Sequence, residues 1–203
     1  VGAFGTLVRE QRFLGFTLTY SFISGGSFVF VTIGAALFEK LFGISSATFG
    51  AIWASLAGAY VLGAASAGAL ARRYGTRRVA MAGTNLNLAA AAAFCAACAW
   101  PQPLLPAFVF ALALQTLANG LVSPLALAGA VGDHPAFAGV AAGLSSSIAM
   151  LVSMGCAILT GTLYDGKPGT TAIPLTLACI AAWFALRSAL GAPPAGGGGR
   201  GLK

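Results

Sequence analysis

Charged side chains are scarce in this sequence. Only 7% of its 203 residues are charged, whereas 58% are hydrophobic, and the mean hydropathy is +0.89. A water-soluble globule needs more polar surface than this composition provides. The scarcity of charge therefore excludes an ordinary soluble domain and indicates a protein whose solvent is lipid.

Acidic residues and histidine are the scarcest groups, with four Asp plus Glu and a single His. The sequence has no phosphate-binding glycine loop followed by Lys, no paired carboxylates at helical spacing and no second histidine for a metal. A Ser/His/Asp set would need Asp133, His134 and a distant serine. We therefore expect neither an enzyme nor a metal or cofactor site, and we expect His134 to be a solvated loop residue.

The four cysteines do not form a recognisable metal-binding motif. Cys95 and Cys98 have Cys-x-x-Cys spacing, but no His or carboxylate lies near them in a long apolar stretch. Cys156 and Cys179 are also embedded in apolar stretches. A metal or redox site is the alternative, and we expect small apolar packing residues.

Long apolar runs dominate the sequence. A bilayer core of about 30 Å needs roughly 20 apolar residues per helix. Six stretches reach that length, at about 13–36, 48–71, 79–99, 104–131, 137–163 and 170–190. The sequence thus predicts an all-α polytopic membrane protein with one six-span domain over 1–190. Residues 191–203 are rich in Gly and Pro and predict a disordered cytoplasmic tail.

Basic residues are divided unequally between the two faces that six crossings create. One face has only Lys40 and Lys167, and the other has Arg9, Arg12, Arg72, Arg73, Arg77, Arg78, Arg187, Arg200 and Lys203. The positive-inside rule then predicts that both termini are cytoplasmic. Because the charge is scattered and lacks interleaved aromatics, a nucleic-acid partner is not expected. Abundant alanine, and arginine in preference to lysine, suggest a GC-rich bacterial coding sequence and hence a bacterial inner membrane.

Polar residues inside the spans are concentrated on two helices. Gln115, Asn119 and Ser123 follow one face of the fourth span, and Tyr20 and Ser24 lie with Ser27 and Phe28 on the first. The sixth span is almost wholly apolar. We expect the first and fourth spans to border an aqueous path and the sixth to face lipid. The alternative is that the polar groups form hydrogen bonds that hold the helices together.

Small residues predict where helices approach closely. Gly63 and Ala67 in the second span, and Gly139 and Gly143 in the fifth, have the four-residue spacing of membrane helix contacts. Pro124 inside the fourth span removes a backbone donor and is expected to kink or open that helix.

Residues 68–78 follow the pattern Gly-x-Leu-x-Asp-Arg-x-Gly-x-Arg-Arg, which Gly68, Leu70, Arg73, Gly75, Arg77 and Arg78 match. The pattern resembles the loop between the second and third helices in each half of the major facilitator superfamily. Arg72 replaces the Asp, a departure that is tolerated in the second-half loop. Stretches at 12–16, 22–29, 42–45, 49–50, 120–124, 138–142 and 163–166 further resemble the carboxyl half of Bcr/CflA-type multidrug efflux transporters.

The resemblance implies half of a proton-driven secondary transporter that expels drugs or small amphipathic metabolites by alternating access. In that fold the first and fourth helices of each half line the cavity. The predicted substrate-cavity residues are therefore Tyr20, Ser24, Phe28, Gln115, Asn119 and Ser123. The predicted gating-loop residues are Gly68, Arg73, Gly75, Arg77 and Arg78, and the alternative is a loop that only sets topology.

The expected partners are a small-molecule substrate, protons, the lipid bilayer and either an amino-terminal six-helix half or a second copy. No span carries an acidic residue near its middle, so the resemblance implies that proton-coupling carboxylates lie in a missing first half. The chain, which begins at Val1, is accordingly expected to be a fragment. Leu125 stands where the family tends to have Asn, so no substrate contact is transferred to it. Two alternatives are a self-contained membrane scaffold or assembly subunit, and a homodimeric half-size transporter.

Overall fold

The computed structural model describes residues 9–132 and 137–192. Within these ranges the chain is helical without strands, and six helices are long and apolar enough to cross a membrane. They are α1 (Gln11–Phe42), α2 (Ser46–Tyr74), α3 (Thr76–Ala99), α4 (Leu105–Gly132), α5 (Ala138–Leu163) and α6 (Pro168–Gly191). The predicted fold class is confirmed. Asp133, His134 and the residues after Ala192 lie outside the described ranges.

Local turn chemistry explains where the first helices end. Gly43 follows α1 with a φ of 65°, and its N–H donates to the carbonyl of Glu39 at 2.8 Å, which is a left-handed C-cap. The hydroxyl of Ser45 then caps α2 by accepting from the N–H of Thr48 at 3.2 Å. Gly75, with a φ of 88°, is the single residue between α2 and α3. Glycine permits this turn because it has no Cβ.

Helix packing repeats within the bundle. α1 packs most extensively against α5 and α6, and α4 packs in the same way against α2 and α3. The α1–α4 and α3–α6 contacts complete the bundle. This pattern maps onto itself when the first three helices are exchanged with the last three. Successive spans cross the membrane in alternating directions, so α1 and α4 run in opposite directions, as do α2 and α5, and α3 and α6. The first three and the last three helices are therefore related as an inverted repeat.

Phenylalanine rings fill the end of the bundle opposite the arginine-bearing turn. Phe30 and Phe38 of α1, Phe94 of α3 and Phe108 of α4 are all buried. The ring centroids of Phe94 and Phe108 are 5.2 Å apart, and those of Phe30 and Phe94 are 4.9 Å apart, both edge-on. Edge-on packing of this kind is a favoured aromatic geometry. These rings join α1, α3 and α4 at one end of the bundle.

α2 and α4 approach each other through glycine. A Cβ added to Gly63 would meet the backbone carbonyl oxygen of Leu117, and one added to Gly120 would meet that of Tyr60. Ala67, one turn after Gly63, is also buried. The predicted close approach at Gly63 and Ala67 is therefore confirmed, and it depends on residues without bulky side chains.

The corresponding prediction for α5 is wrong. Cβ atoms added at Gly139 or Gly143 would have no neighbour within 4 Å. α5 instead packs on α1 through Ala141 and Ser145, and the hydroxyl of Ser145 lies 2.9 Å from that of Thr17. Residues two positions apart on a helix point to nearly opposite sides, so the glycines face away from this contact.

The expectation that α6 faces lipid is wrong for one of its sides. α6 packs against α1 and α3 with a face that includes Ala178, Ala182 and Ala189. Its opposite face exposes large apolar residues such as Leu177 and Phe184. Alanines allow α6 to approach its neighbours closely, and an overall apolar sequence does not distinguish the two faces.

Candidate functional site

A cleft of about 160 Å³ opens between α1, α2 and α4. Its lining combines three aromatic rings with hydroxyl and amide groups. The lining residues are Tyr20, Ile23, Ser24, Ser27, Phe28, Tyr60, Asn119 and Ser123. Among these described residues none is charged, so the cleft offers apolar surface and hydrogen-bonding groups to a ligand but no counter-charge.

A second cleft of about 190 Å³ adjoins the first and shares Ser27 and Tyr60 with it. Its other lining residues are Trp53, Leu56, Ala57 and Thr116. Both clefts are lined by residues of α1, α2 and α4. Together they form a surface with aromatic rings on both sides of Tyr60.

Five of the six predicted cavity residues line the first cleft, and Gln115 does not. Gln115 is buried, and its side-chain nitrogen lies 3.5 Å from the sulfur of Cys179 on α6. A helix turns about 100° per residue, so each step of four residues rotates the side chain by about 40°. Gln115 and Ser123 therefore point about 80° apart although both belong to the same predicted stripe.

Asn119 is held between the cleft and the bundle core. Its side-chain nitrogen donates to the hydroxyl of Ser27 at 2.7 Å, and its oxygen accepts from the side-chain nitrogen of Asn87 at 2.9 Å. The oxygen of Asn87 in turn accepts from the thiol of Cys179 at 3.1 Å. Interhelical hydrogen bonding, the alternative to cleft exposure, thus occurs at the same residue that borders the cleft.

This chain of side chains fixes the orientation of the Asn119 amide. Asn87 is 1% exposed and Asn119 is 3% exposed, so bulk water does not compete for the hydrogen bond between them. A carboxamide has two donor hydrogens and two acceptor positions, so Asn119 retains capacity for a ligand beyond its bonds to Ser27 and Asn87. The structure therefore presents an amide of defined orientation to a cleft lined by aromatic rings and hydroxyl groups.

Sequence reasoning missed Ile23 and Tyr60, which line the cleft, and Asn87, which bonds to Asn119. Asn87 is a polar residue inside an apolar span, the same signal that identified Asn119, and it could have been found on the third span. Tyr60 had no such signal, because a tyrosine on a membrane helix is as typical of a lipid-facing position as of a cleft. Its contribution to the cleft follows only from the close approach of α2 and α4 at Gly120.

The predicted gating-loop residues lie apart from the cleft, at the turn between α2 and α3. Arg73, Arg77 and Arg78 are exposed, as is Gly68, whereas Gly75 makes the turn itself. The guanidinium of Arg73 lies 5.2 Å from the ring centroid of Tyr74. Among the described residues, no carboxylate pairs with an arginine of this turn. The turn is therefore a concentrated positive charge.

The cysteines each contact a neighbouring helix or its first turn. The sulfur of Cys95 lies 3.3 Å from the hydroxyl of Thr176, and that of Cys98 lies 3.4 Å from the carbonyl oxygen of Pro168. All four cysteines are free. In the ranges 9–132 and 137–192, no three metal-ligating side chains converge.

Part of the chain is similar to an uncharacterized MFS-type transporter, YdgK, from Bacillus subtilis (strain 168). The two are 29% identical over 68 residues, which is 31% of this chain and 17% of the Bacillus protein. The similarity therefore covers less than a fifth of the relative's length. No protein-family model matches the chain. No solved structure matches it either. The limited similarity and the six span-length helices together support a multi-pass membrane protein with a general role in transport.

Proposed function

We propose that this chain is the carboxyl half of a proton-driven major facilitator transporter that exports drugs or small amphipathic metabolites. The observation that carries the proposal is the uncharged aromatic and amide-lined cleft at α1 and α4. It occurs in a six-helix bundle with an inverted repeat, an arrangement that secondary transporters use to build central binding sites. The resemblance of the sequence to Bcr/CflA-type transporters supports the substrate class.

Within this proposal, the cleft binds one surface of the substrate. Tyr20, Phe28 and Tyr60 provide ring faces for apolar or cationic groups, and Asn119 provides hydrogen bonds. Gln115 is left out, because it is directed toward Cys179 instead of the cleft. The described spans hold no carboxylate away from their ends, so we assign proton coupling to a partner bundle.

A partner bundle would pack on the exposed faces of α2 and α5. Val61 and Leu62 on α2, and Met150, Leu151 and Met154 on α5, are each more than half exposed. Small residues such as Gly58, Gly139 and Gly143 lie open on the same two helices. We propose an amino-terminal six-helix half as this partner, with a second copy of the chain as the alternative.

The arginine turn is proposed to act at the cytoplasmic side, with both termini in the cytoplasm of a bacterial inner membrane. Its cations would brace neighbouring helix ends when the protein is open to the outside, since cations are stabilised at helix C-termini. Gly75 would preserve the tight turn while the halves rock apart.

Export of a fluorescent cationic dye from cells that produce the full-length protein tests the function. We expect Asn119→Ala to reduce the export rate by about two- to tenfold, the range for one lost hydrogen bond. Ser24→Phe should reduce it further, because the larger ring fills the cleft. Ser188→Leu, an exposed substitution on α6 away from the cleft, is the matched control. Membrane levels of all variants are measured by immunoblot.

Two results would contradict the proposal. Unchanged export in both cleft variants would remove the cleft from the substrate path. Export that persists after an uncoupler has collapsed the proton gradient would exclude proton-driven transport. In the second case the cleft could still bind the dye, so the two parts of the proposal are tested separately.

A further inference from the structure

A groove of about 300 Å³ lies between the ends of α2 and α3 that meet at the arginine turn. Its lining residues are Leu70, Tyr74, Arg78, Val79, Ala82 and Leu121. α2 and α3 pack poorly against each other, because each packs mainly against α4. The gap between them is consequently open to the surroundings, and Leu121 of α4 forms part of its floor.

The groove is apolar along its length and basic at its mouth. Leu70, Val79 and Leu121 provide aliphatic walls, and Ala82 leaves an open space because its side chain is small. Arg78 stands at the end nearest the turn, with Arg77 beside it in sequence, and both are exposed. Among the described residues, no carboxylate forms an ion pair with either arginine. The groove therefore combines a guanidinium at its mouth with apolar walls.

Tyr74 places the groove mouth at the membrane surface. Tyrosines are enriched where hydrocarbon meets the headgroups, and arginines of a cytoplasmic turn lie at the same level. Tyr74 is 49% exposed, and the guanidinium of Arg73 covers its ring at 5.2 Å. A ligand that matches these positions has an anionic group at the headgroup level and a hydrocarbon chain that runs toward the membrane centre.

We propose that this groove binds one phospholipid with an anionic headgroup. Its phosphate contacts the guanidinium of Arg78, and one acyl chain lies along Leu70, Ala82 and Leu121. Free phosphate would use only the mouth, and a zwitterionic lipid would gain less from the net positive charge. Lipid binding in this groove does not depend on transport. A negative result for lipid binding is therefore distinguishable from a negative result for the proposed export function.

Native mass spectrometry of the full-length protein in mild detergent measures the binding of dioleoylphosphatidylglycerol. We expect Arg78→Gln to weaken binding of the first lipid by about fivefold, as for one lost basic contact at a membrane surface. Arg187→Gln is the matched charge control. Arg187 is also exposed, but it stacks at 4.3 Å on the Trp183 ring of α6 instead of lining the groove.

Filling the groove tests the acyl-chain half of the proposal. Ala82→Phe should weaken binding although every arginine is retained. Ala107→Phe is its control, because it fills another apolar groove, of about 390 Å³, whose described lining contains no arginine. We expect this control to bind the anionic lipid as the parent protein does.

Three outcomes would overturn the proposal. Equal affinity for dioleoylphosphatidylcholine, measured in the same way, would show that the headgroup charge is not recognised. Equal effects of Arg78→Gln and Arg187→Gln would show only a general surface potential. Displacement of the lipid by millimolar inorganic phosphate would show an anion site that does not require an acyl chain.

Discussion

At the scale of single residues, Asn119 links three helices and also lines the cleft. Its amide bonds to Ser27 on α1 and to Asn87 on α3 while it borders the cleft. Hydrogen bonds between membrane helices contribute about 0.6 kcal/mol on average and up to about 2 kcal/mol. Asn87 therefore adds modest stability, and its larger consequence is that it orients the Asn119 side chain.

We predict that Asn87→Ala reduces dye export about as much as Asn119→Ala does, because it releases the amide that faces the cleft. The double variant should show little further loss of export, since both substitutions remove the same feature, an oriented Asn119 amide at the cleft. Asn85→Ala is the control on the same helix, where Asn85 bonds to Trp183 and not to the cleft network. Additive losses in the double variant, measured as export rates at matched protein levels, would contradict a role of Asn87 through Asn119.

At the scale of helices, α2 and α5 differ from the others because each buries only a narrow face. α2 buries Leu56, Gly63 and Ala67, and the rest of the helix is partly or fully exposed. Its contact with α4 therefore depends on backbone proximity more than on large side chains. A substitution at the contact should be costly, whereas the same substitution on the open face should not.

Gly63→Ala and Gly58→Ala form a matched pair on α2. Both gain the helix propensity of alanine, which is about 1 kcal/mol over glycine. Only at Gly63 does the new Cβ meet the carbonyl oxygen of Leu117, and such overpacking costs about 1–3 kcal/mol. We expect Gly63→Ala to lower the thermal unfolding temperature in detergent and Gly58→Ala to leave it unchanged or raise it. Equal shifts would show that the glycine contact is not formed.

At the scale of the whole molecule, basic residues are divided unequally between the two ends of the bundle. The arginine turn between α2 and α3 lies at one end, and Lys40 and Lys167 lie at the other. Lys167 is also paired with Asp165 at 3.6 Å, which partly offsets its charge. The positive-inside rule therefore predicts that the end with the arginine turn is the cytoplasmic one.

Cysteine labelling in intact cells tests this orientation. Arg77→Cys and Lys167→Cys place exposed thiols at opposite ends of the bundle. A membrane-impermeant maleimide should label Lys167→Cys in intact cells and Arg77→Cys only after the membrane is permeabilised. The parent protein, whose Cys95, Cys98, Cys156 and Cys179 lie within the helices, gives the background. Labelling of Arg77→Cys from outside would reverse the topology and remove the proposed gating role.

The sequence by itself determined the number and approximate length of the helices and the predicted side of the arginine turn. Hydrocarbon thickness and the positive-inside preference act on each segment separately, so both can be evaluated without knowing which helices touch. The cleft could also be located in part, because polar side chains in apolar spans are costly unless they have partners. Five lining residues, Tyr20, Ser24, Phe28, Asn119 and Ser123, were predicted from these polar stripes together with the family resemblance, which implies that the first and fourth helices line a cavity.

Only the tertiary structure decided which side of each helix turns inward. Four-residue spacing of small residues occurs both at the buried Gly63 and at the open Gly139 and Gly143, so the pattern alone cannot locate a contact. Gln115 is directed to Cys179, because the helical twist rotates it away from Ser123 and α6 offers a partner there. Which side of a helix turns inward depends on neighbouring helices that are distant in the sequence. The distances between these helices are defined only in the folded bundle.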